Sequence, residues 1–134
     1  MIIDASVAFK LIVEEPGSEE AIGWIGRAEL TGPTLIHSEV GNALWKRVRL
    51  GELAEESEIA DRLEDLDHLI RTVNETVLVP RALRLAIELA HPVYDCIYLA
   101  LAEAAGDKLL TADRRFIRAL EGTPYAQHVQ ELGE

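Results

Sequence analysis

The stretch from Cys96 to Ala105 is apolar nearly all round, broken only by Glu103. A helix with no polar face has no side to offer to water, so it belongs in the interior. Gly106 stops it. A buried helix needs other layers around it, and the flanking pattern supplies them. Short apolar runs read as strands at Met1 to Ile3, Thr34 to Ile36, Glu75 to Val79, Lys108 to Thr111 and His128 to Leu132. Strands alternating with helices indicate a three-layer α/β/α fold around a central, mostly parallel sheet of four to five strands. The 134 residues suit one domain spanning 1–134 with a real hydrophobic core.

Between the strands, apolar residues recur at helical spacing. Ser6 is placed to cap a helix carrying Val7, Ala8, Leu11 and Ile12. Pro16 and Gly17 break it, and Ser18 starts a second helix expected to bury Ile22, Trp24 and Ile25 before Thr31 to Pro33. A third helix is expected from Ser38 to Leu50, striped by Val40, Leu44 and Val48, with Glu39, Asn42 and Lys46 on an adjoining face. Gly51 ends it, and Ile59, Leu63, Leu66 and Ile70 face inward from an acidic helix. Pro80 suits the first turn of a helix from Arg81 to Ala90, and the last helix runs from Asp113 to Leu120. No internal repeat, low-complexity tract or linker interrupts this pattern.

Composition narrows the function classes. No apolar run approaches the roughly 20 residues that cross a bilayer, and Asp4 and Lys10 interrupt any signal-like N-terminus, so the expected location is cytoplasmic, with the mature chain starting at Met1. Cys96 is the single cysteine and reads as a small buried hydrophobe. His37, His68, His91 and His128 show no zinc-site spacing. The net charge of -11 is unusual for a protein that binds nucleic acid. Much of it is local: Glu52, Glu55, Glu56, Glu58, Asp61, Glu64, Asp65 and Asp67 stand against Arg62, a pattern that reads as a solvated helix face. Basic residues gather elsewhere, at Lys46, Arg47 and Arg49 and at Arg114, Arg115 and Arg118.

Four acids stand at or near helix starts: Asp4, Glu39, Asp95 and Asp113. Parallel α/β sheets bind ligands beyond the carboxyl ends of their strands, where these acids can meet. Each alone has an ordinary use as a helix cap. Asp4 and Asp95 are harder to dismiss, because both adjoin very apolar segments where an unpaired charge is costly. Crowded carboxylates imply shared protons or a divalent cation. Oxygen donors without His or Cys favour Mg²⁺, with Mn²⁺ a substitute, and such ions assist phosphodiester hydrolysis.

The segments around these acids resemble the four motifs of PIN-domain ribonucleases: Ile2 to Ser6, His37 to Leu44, Val93 to Ala102 and Leu110 to Phe116. In length and motif order the chain is similar to the VapC toxins of toxin–antitoxin modules. That resemblance implies a Mg²⁺-dependent endoribonuclease that cuts tRNA or ribosomal RNA. It places Asp4, Glu39, Asp95 and Asp113 as metal-binding acids, Ser6 and Thr111 as hydroxyls lining the site, and Asn42 as a polar neighbour. It also implies a homodimer and neutralisation by a small VapB-type antitoxin, for which an acidic toxin surface suits a basic segment. Arg114 and Arg115 are candidates for the RNA backbone, and Tyr94 and Tyr98 for stacking on a base. Trp24 and Trp45 are assigned to packing or to partner surfaces.

Two other classes compete. One is a catalytically inactive PIN-like module that binds a protein or RNA, which metal binding separates from the nuclease. The other is a receiver or a dehalogenase-type phosphatase, against which the first strand lacks Asp-x-Asp and the later Asp–Lys arrangement of a receiver is missing.

Overall fold

Two strands at the centre, β1 (Ile2–Ile3) and β4 (Leu109–Thr111), are buried along their whole length. Strands apolar on both faces require helices above and below, and that requirement goes with parallel pairing. Three more strands flank them: β2 (Thr31–Pro33), β3 (Arg71–Val73) and β5 (Val129–Glu131). All pairs are parallel, in the order β3-β2-β1-β4-β5. This computed structural model describes residues 1–54 and 58–134, so Glu55 and Glu56 of the acidic run lie outside the described residues.

The chain first moves outward from β1 to β2 and β3, then returns to β4 and continues to β5. Right-handed crossovers place the helices of the two halves on opposite faces. On one side, α1 (Ala5–Ile12) packs on β1 and β4 and is surrounded by α2 (Ser18–Gly23), α3 (Leu35–Arg49) and α4 (Asp61–Leu69). On the other, α6 (Val93–Ala105) packs on β1, β2 and β4, with α5 (Val79–Leu89) against it and α7 (Arg114–Leu120) beside β5. Every residue of α6 from Cys96 to Ala102 is buried, as its all-round apolarity required. Gly106 closes it in a left-handed conformation. Ile2 pairs with Leu109 and Ile3 with Leu110, which sets Asp4 level with Thr111. The strand order reverses between β1 and β4, so the crevice of such a fold opens at the ends of these two strands.

Several local expectations are corrected. The strand near residue 34 lies earlier, at Thr31–Pro33, and α3 starts at Leu35 instead of Ser38. The cause is distant in sequence: the Glu75 carboxylate accepts from Thr34 N (3.1 Å), Thr34 Oγ1 (2.7 Å) and Leu35 N (3.1 Å), capping the helix from 40 residues away. The strand expected at Glu75 to Val79 is a 3-10 turn at Thr76–Leu78 running into α5, and β3 is the preceding Arg71–Val73. There Asn74 Oδ1 accepts from Thr76 N and turns the chain out of the sheet. Asp4, not Ser6, caps α1. Helix α2 buries Ser18 and Ala21, while Ile22 and Ile25 are exposed. Ile59 and Leu63 are partly buried, and Leu66 and Ile70 fully, as expected of the acidic helix. No single helix among the described residues is long and apolar enough to cross a membrane.

Candidate functional site

Asp4 leaves β1 and caps α1, its Oδ1 accepting from Val7 N (3.2 Å) and from Ser6 Oγ (2.5 Å). Its Oδ2 accepts from Thr111 Oγ1, at the end of β4. The two hydroxyls also reach the following turn: Ser6 Oγ accepts from Ala112 N (3.0 Å) and Thr111 Oγ1 from Asp113 N (3.0 Å). The β1–α1 and β4–α7 turns are thereby joined through one carboxylate. Burial pushes the Asp4 carboxyl up to about 6, against the bonds from Ser6, Thr111 and Val7, and the charge of Asp113 adds to the rise.

Glu39 lies one turn inside α3 and faces α6, where it accepts from the hydroxyl of buried Tyr98 (3.0 Å). Burial raises Glu39 to about 7; the Tyr98 bond opposes that, and the charges of Asp95 and Asp4 reinforce it. Burial also raises the Tyr98 phenol, with Glu39 next in weight, so this hydroxyl stays a donor. Asp95, third in α6, is one-third exposed rather than interior, and its Oδ2 lies 2.7 Å from His91 Nε2. Asp113 caps α7, accepting from Arg115 N (2.9 Å) and Phe116 N (3.2 Å).

The four acids therefore form an arc in which Asp113 acts on Asp4, Asp4 on Glu39, and Asp95 on Glu39. They share one end of the sheet. They are not drawn into a knot: among the described residues, no three His, Cys, Asp or Glu side chains are gathered closely enough to enclose an ion. Asp4 is turned toward Ser6 and Thr111, and Asp95 toward His91. The donor set nevertheless fits a hard dication, because it is all carboxylate and hydroxyl oxygen and its charges repel.

Two lobes of a cleft meet at Glu39 and Asn42. One, of about 410 Å³, is lined by Ser6, Lys10, Glu15, Lys46 and Arg47. The other, of about 340 Å³, is lined by Leu35, Ser38, Tyr94 and Asp95. Asn42 thus stands at the junction. Arg114 is exposed and paired with Glu131 (2.8 Å), and Arg115 is exposed. Tyr98 is core through its ring and site through its hydroxyl, while Tyr94 is 63% exposed. Trp45 is exposed and Trp24 partly buried.

Sequence reasoning missed His91, and it named Tyr98 for its ring and not for its hydroxyl. His91 packs its ring 4.8 Å from that of Phe116, joining α7 to Asp95; its signal was the four-residue spacing to Asp95. Ala90 holds a left-handed backbone (φ 50°) and Pro92 follows, so His91 is presented from a fixed turn. The Tyr98 hydroxyl had no sequence signal beyond one polar atom on an apolar helix.

A PIN domain family model matches residues 1–121. Ribonuclease VapC3 of Pyrobaculum aerophilum is 38% identical over 119 residues, covering 86% of this chain and 90% of that one. Ribonuclease VapC1 of Mycobacterium tuberculosis is 32% identical over 126 residues, 92% of each chain. The crystal structure of PAE2754 from Pyrobaculum aerophilum superposes with a TM-score of 0.73 at 26% identity, over 98% of this chain and 82% of that chain. With its parallel sheet and helical layers as described, the chain belongs to the PIN-domain family, among its VapC ribonucleases.

Proposed function

We propose that residues 1–134 form a single PIN domain acting as a cytoplasmic, Mg²⁺-dependent endoribonuclease, the toxin of a VapBC-type module, with tRNA or ribosomal RNA as its substrate. The observation that supports this most is the arc of four carboxylates at the strand-order reversal, two of them with carboxyls raised to about 6 and 7. A binding module gains nothing from buried acids that repel one another.

In this reading Asp4, Glu39, Asp95 and Asp113 hold Mg²⁺ or Mn²⁺. When bound, the ion supplies positive charge beside the scissile phosphate and makes water more acidic. The remaining work falls to the chain. Ser6, Thr111 and the Val7 amide fix the Asp4 carboxylate in one orientation. Tyr98 occupies Glu39 Oε1 and leaves the other oxygen of Glu39 to reach the ion, directly or through water. Asn42 offers an amide at the junction of the lobes.

Two surfaces support the partners. Val79, Leu83 and Ile87 form an exposed apolar stripe at four-residue spacing along α5, suited to a homodimer contact. A groove of Leu44, Trp45, Val48 and Leu63 beside the acidic α4 suits a basic amphipathic VapB-type antitoxin segment.

The test is cleavage of labelled RNA by wild type and Asp4→Asn, with Mg²⁺ and with chelator. Wild type plus Mg²⁺ is expected to cut internally, and the variant to lose activity by orders of magnitude. Full activity in Asp4→Asn removes that residue from the mechanism, and failure to bind Mg²⁺ or Mn²⁺ at millimolar concentration favours the inactive binding module.

A further inference from the structure

The two lobes that meet at Glu39 and Asn42 differ in chemistry, and the difference gives RNA a path. The larger lobe concentrates positive charge in a chain whose net charge is -11. Lys10 Nζ bonds Glu15 (2.9 Å) and the Pro16 carbonyl (2.8 Å), while Arg47 bonds the other Glu15 oxygen and lies over the Phe9 ring at 4.8 Å. Glu15 is held below its ordinary value although burial pushes it up, because Lys10 and Arg47 outweigh burial. It therefore stays ionised and sets both cations in place. Lys46 lines the same lobe, is exposed, and has no ion pair among the described residues. A lysine at a helix C-terminus also complements the helix dipole, but that does not require it to face the cleft. An exposed ammonium beside a fixed pair of cations is chemistry for phosphate.

The smaller lobe carries the adjacent residues Tyr94 and Asp95, with Leu35 and Pro92 as apolar walls. A phenol ring 63% exposed beside a carboxylate contributes little to the core, but offers a face on which a base can stack. Both lobes have the size of ligand clefts. Arg114, one of the two sequence candidates, is paired with Glu131 at the end of β5.

We propose that single-stranded or looped RNA crosses the carboxylates with its backbone phosphates in the larger lobe against Lys46 and an unstacked base in the smaller lobe against Tyr94. This rests on the ribonuclease reading and adds the route and the strand state. A base kept in a duplex cannot lie on Tyr94, so paired RNA is excluded.

The test is fluorescence anisotropy with a labelled oligouridylate of about ten nucleotides, titrated with salt, with Ca²⁺ replacing Mg²⁺ to hold turnover down. Lys46→Ala is expected to weaken binding about 3- to 10-fold and to lower the salt slope by about 0.7, the value for one phosphate contact on a single strand. Tyr94→Ala is expected to weaken it at least about fivefold, with Tyr94→Phe close to wild type. Glu15→Gln is expected to tighten binding, since it frees charge on Lys10 and leaves Arg47 only its pair with Glu52 (3.3 Å); a merely structural role predicts no gain. The proposal is overturned if wild type does not bind, if Lys46→Ala and Tyr94→Ala bind as wild type does, or if a duplex competes as well as the single strand. Cleavage is scored separately: a wild type that binds in this pattern but never cuts with Mg²⁺ sinks the nuclease and leaves the path standing.

Discussion

Glu39→Gln isolates the cost of holding a carboxylate in this cleft. The glutamine keeps an oxygen that can accept from the Tyr98 hydroxyl and removes only the charge. In the folded chain Glu39 titrates at about 7, against an ordinary value of 4.5. Its folded state thus binds the proton more tightly, so stability is fully present below pH 4.5, falls between 4.5 and 7, and stays low above 7. At about 1.4 kcal/mol per unit, the shift corresponds to about 3 kcal/mol. Partial exposure of the side chain and coupling to Asp4 and Asp95 reduce what a single substitution recovers to about 1–2 kcal/mol. Urea unfolding of the metal-free protein at pH 4.5 and 8.5 reads this directly. Wild type and Glu39→Gln should have similar midpoints at the lower pH, and the variant should be the more stable at the higher one. Millimolar Mg²⁺ should then narrow the gap by stabilising the wild type alone. A variant that is no more stable at pH 8.5, or a difference independent of pH, refutes the argument that burial and like charges strain this glutamate.

Three further outcomes follow from single contacts. His91→Ala should lower kcat with little change in KM for RNA, and His91→Gln, which retains an N–H, should recover part of it; steady-state kinetics on one oligonucleotide decides this. Glu75→Ala should cost about 1–2 kcal/mol by thermal or urea unfolding, because it strips the cap from Thr34 and Leu35. Burial pushes the Cys96 thiol up to about 11, so alkylation at pH 8 should be slow in the native protein and fast only in denaturant.

What the sequence revealed was decided locally. The all-round apolarity of Cys96 to Ala105 could mean only burial, and the positions of Asp4 and Asp113 after apolar runs already set them toward the crevice, although the α1 cap falls to Asp4 and not to Ser6. What it concealed was decided across the chain. Nothing near Leu35 says that Glu75 caps its helix, so α3 was read as starting late. The edge strand Arg71–Val73 needs little apolar content because only part of it is covered, whereas the β-branched Thr76 and Val77 lie on the surface in a turn. Asp95 was expected in the interior because its helix is; the helix start tilts it instead toward His91 and the cleft mouth.

The same separation of local and distant causes bears on how so acidic a chain can hold the proposed path for RNA. Acids on the outer face of α4 meet water, where salt screens them within about 10 Å. Asp4, at the end of β1, and Glu39, in α3, act on one another, and burial makes both of these charges costly. The basic last turn of α3 lies one helical turn past Asn42, and Lys46 and Arg47 from it line the larger lobe. Net charge is a property of the sum; binding depends on which charges share a cleft, and here the fold keeps the screened acids of α4 apart from Asp4 and Glu39.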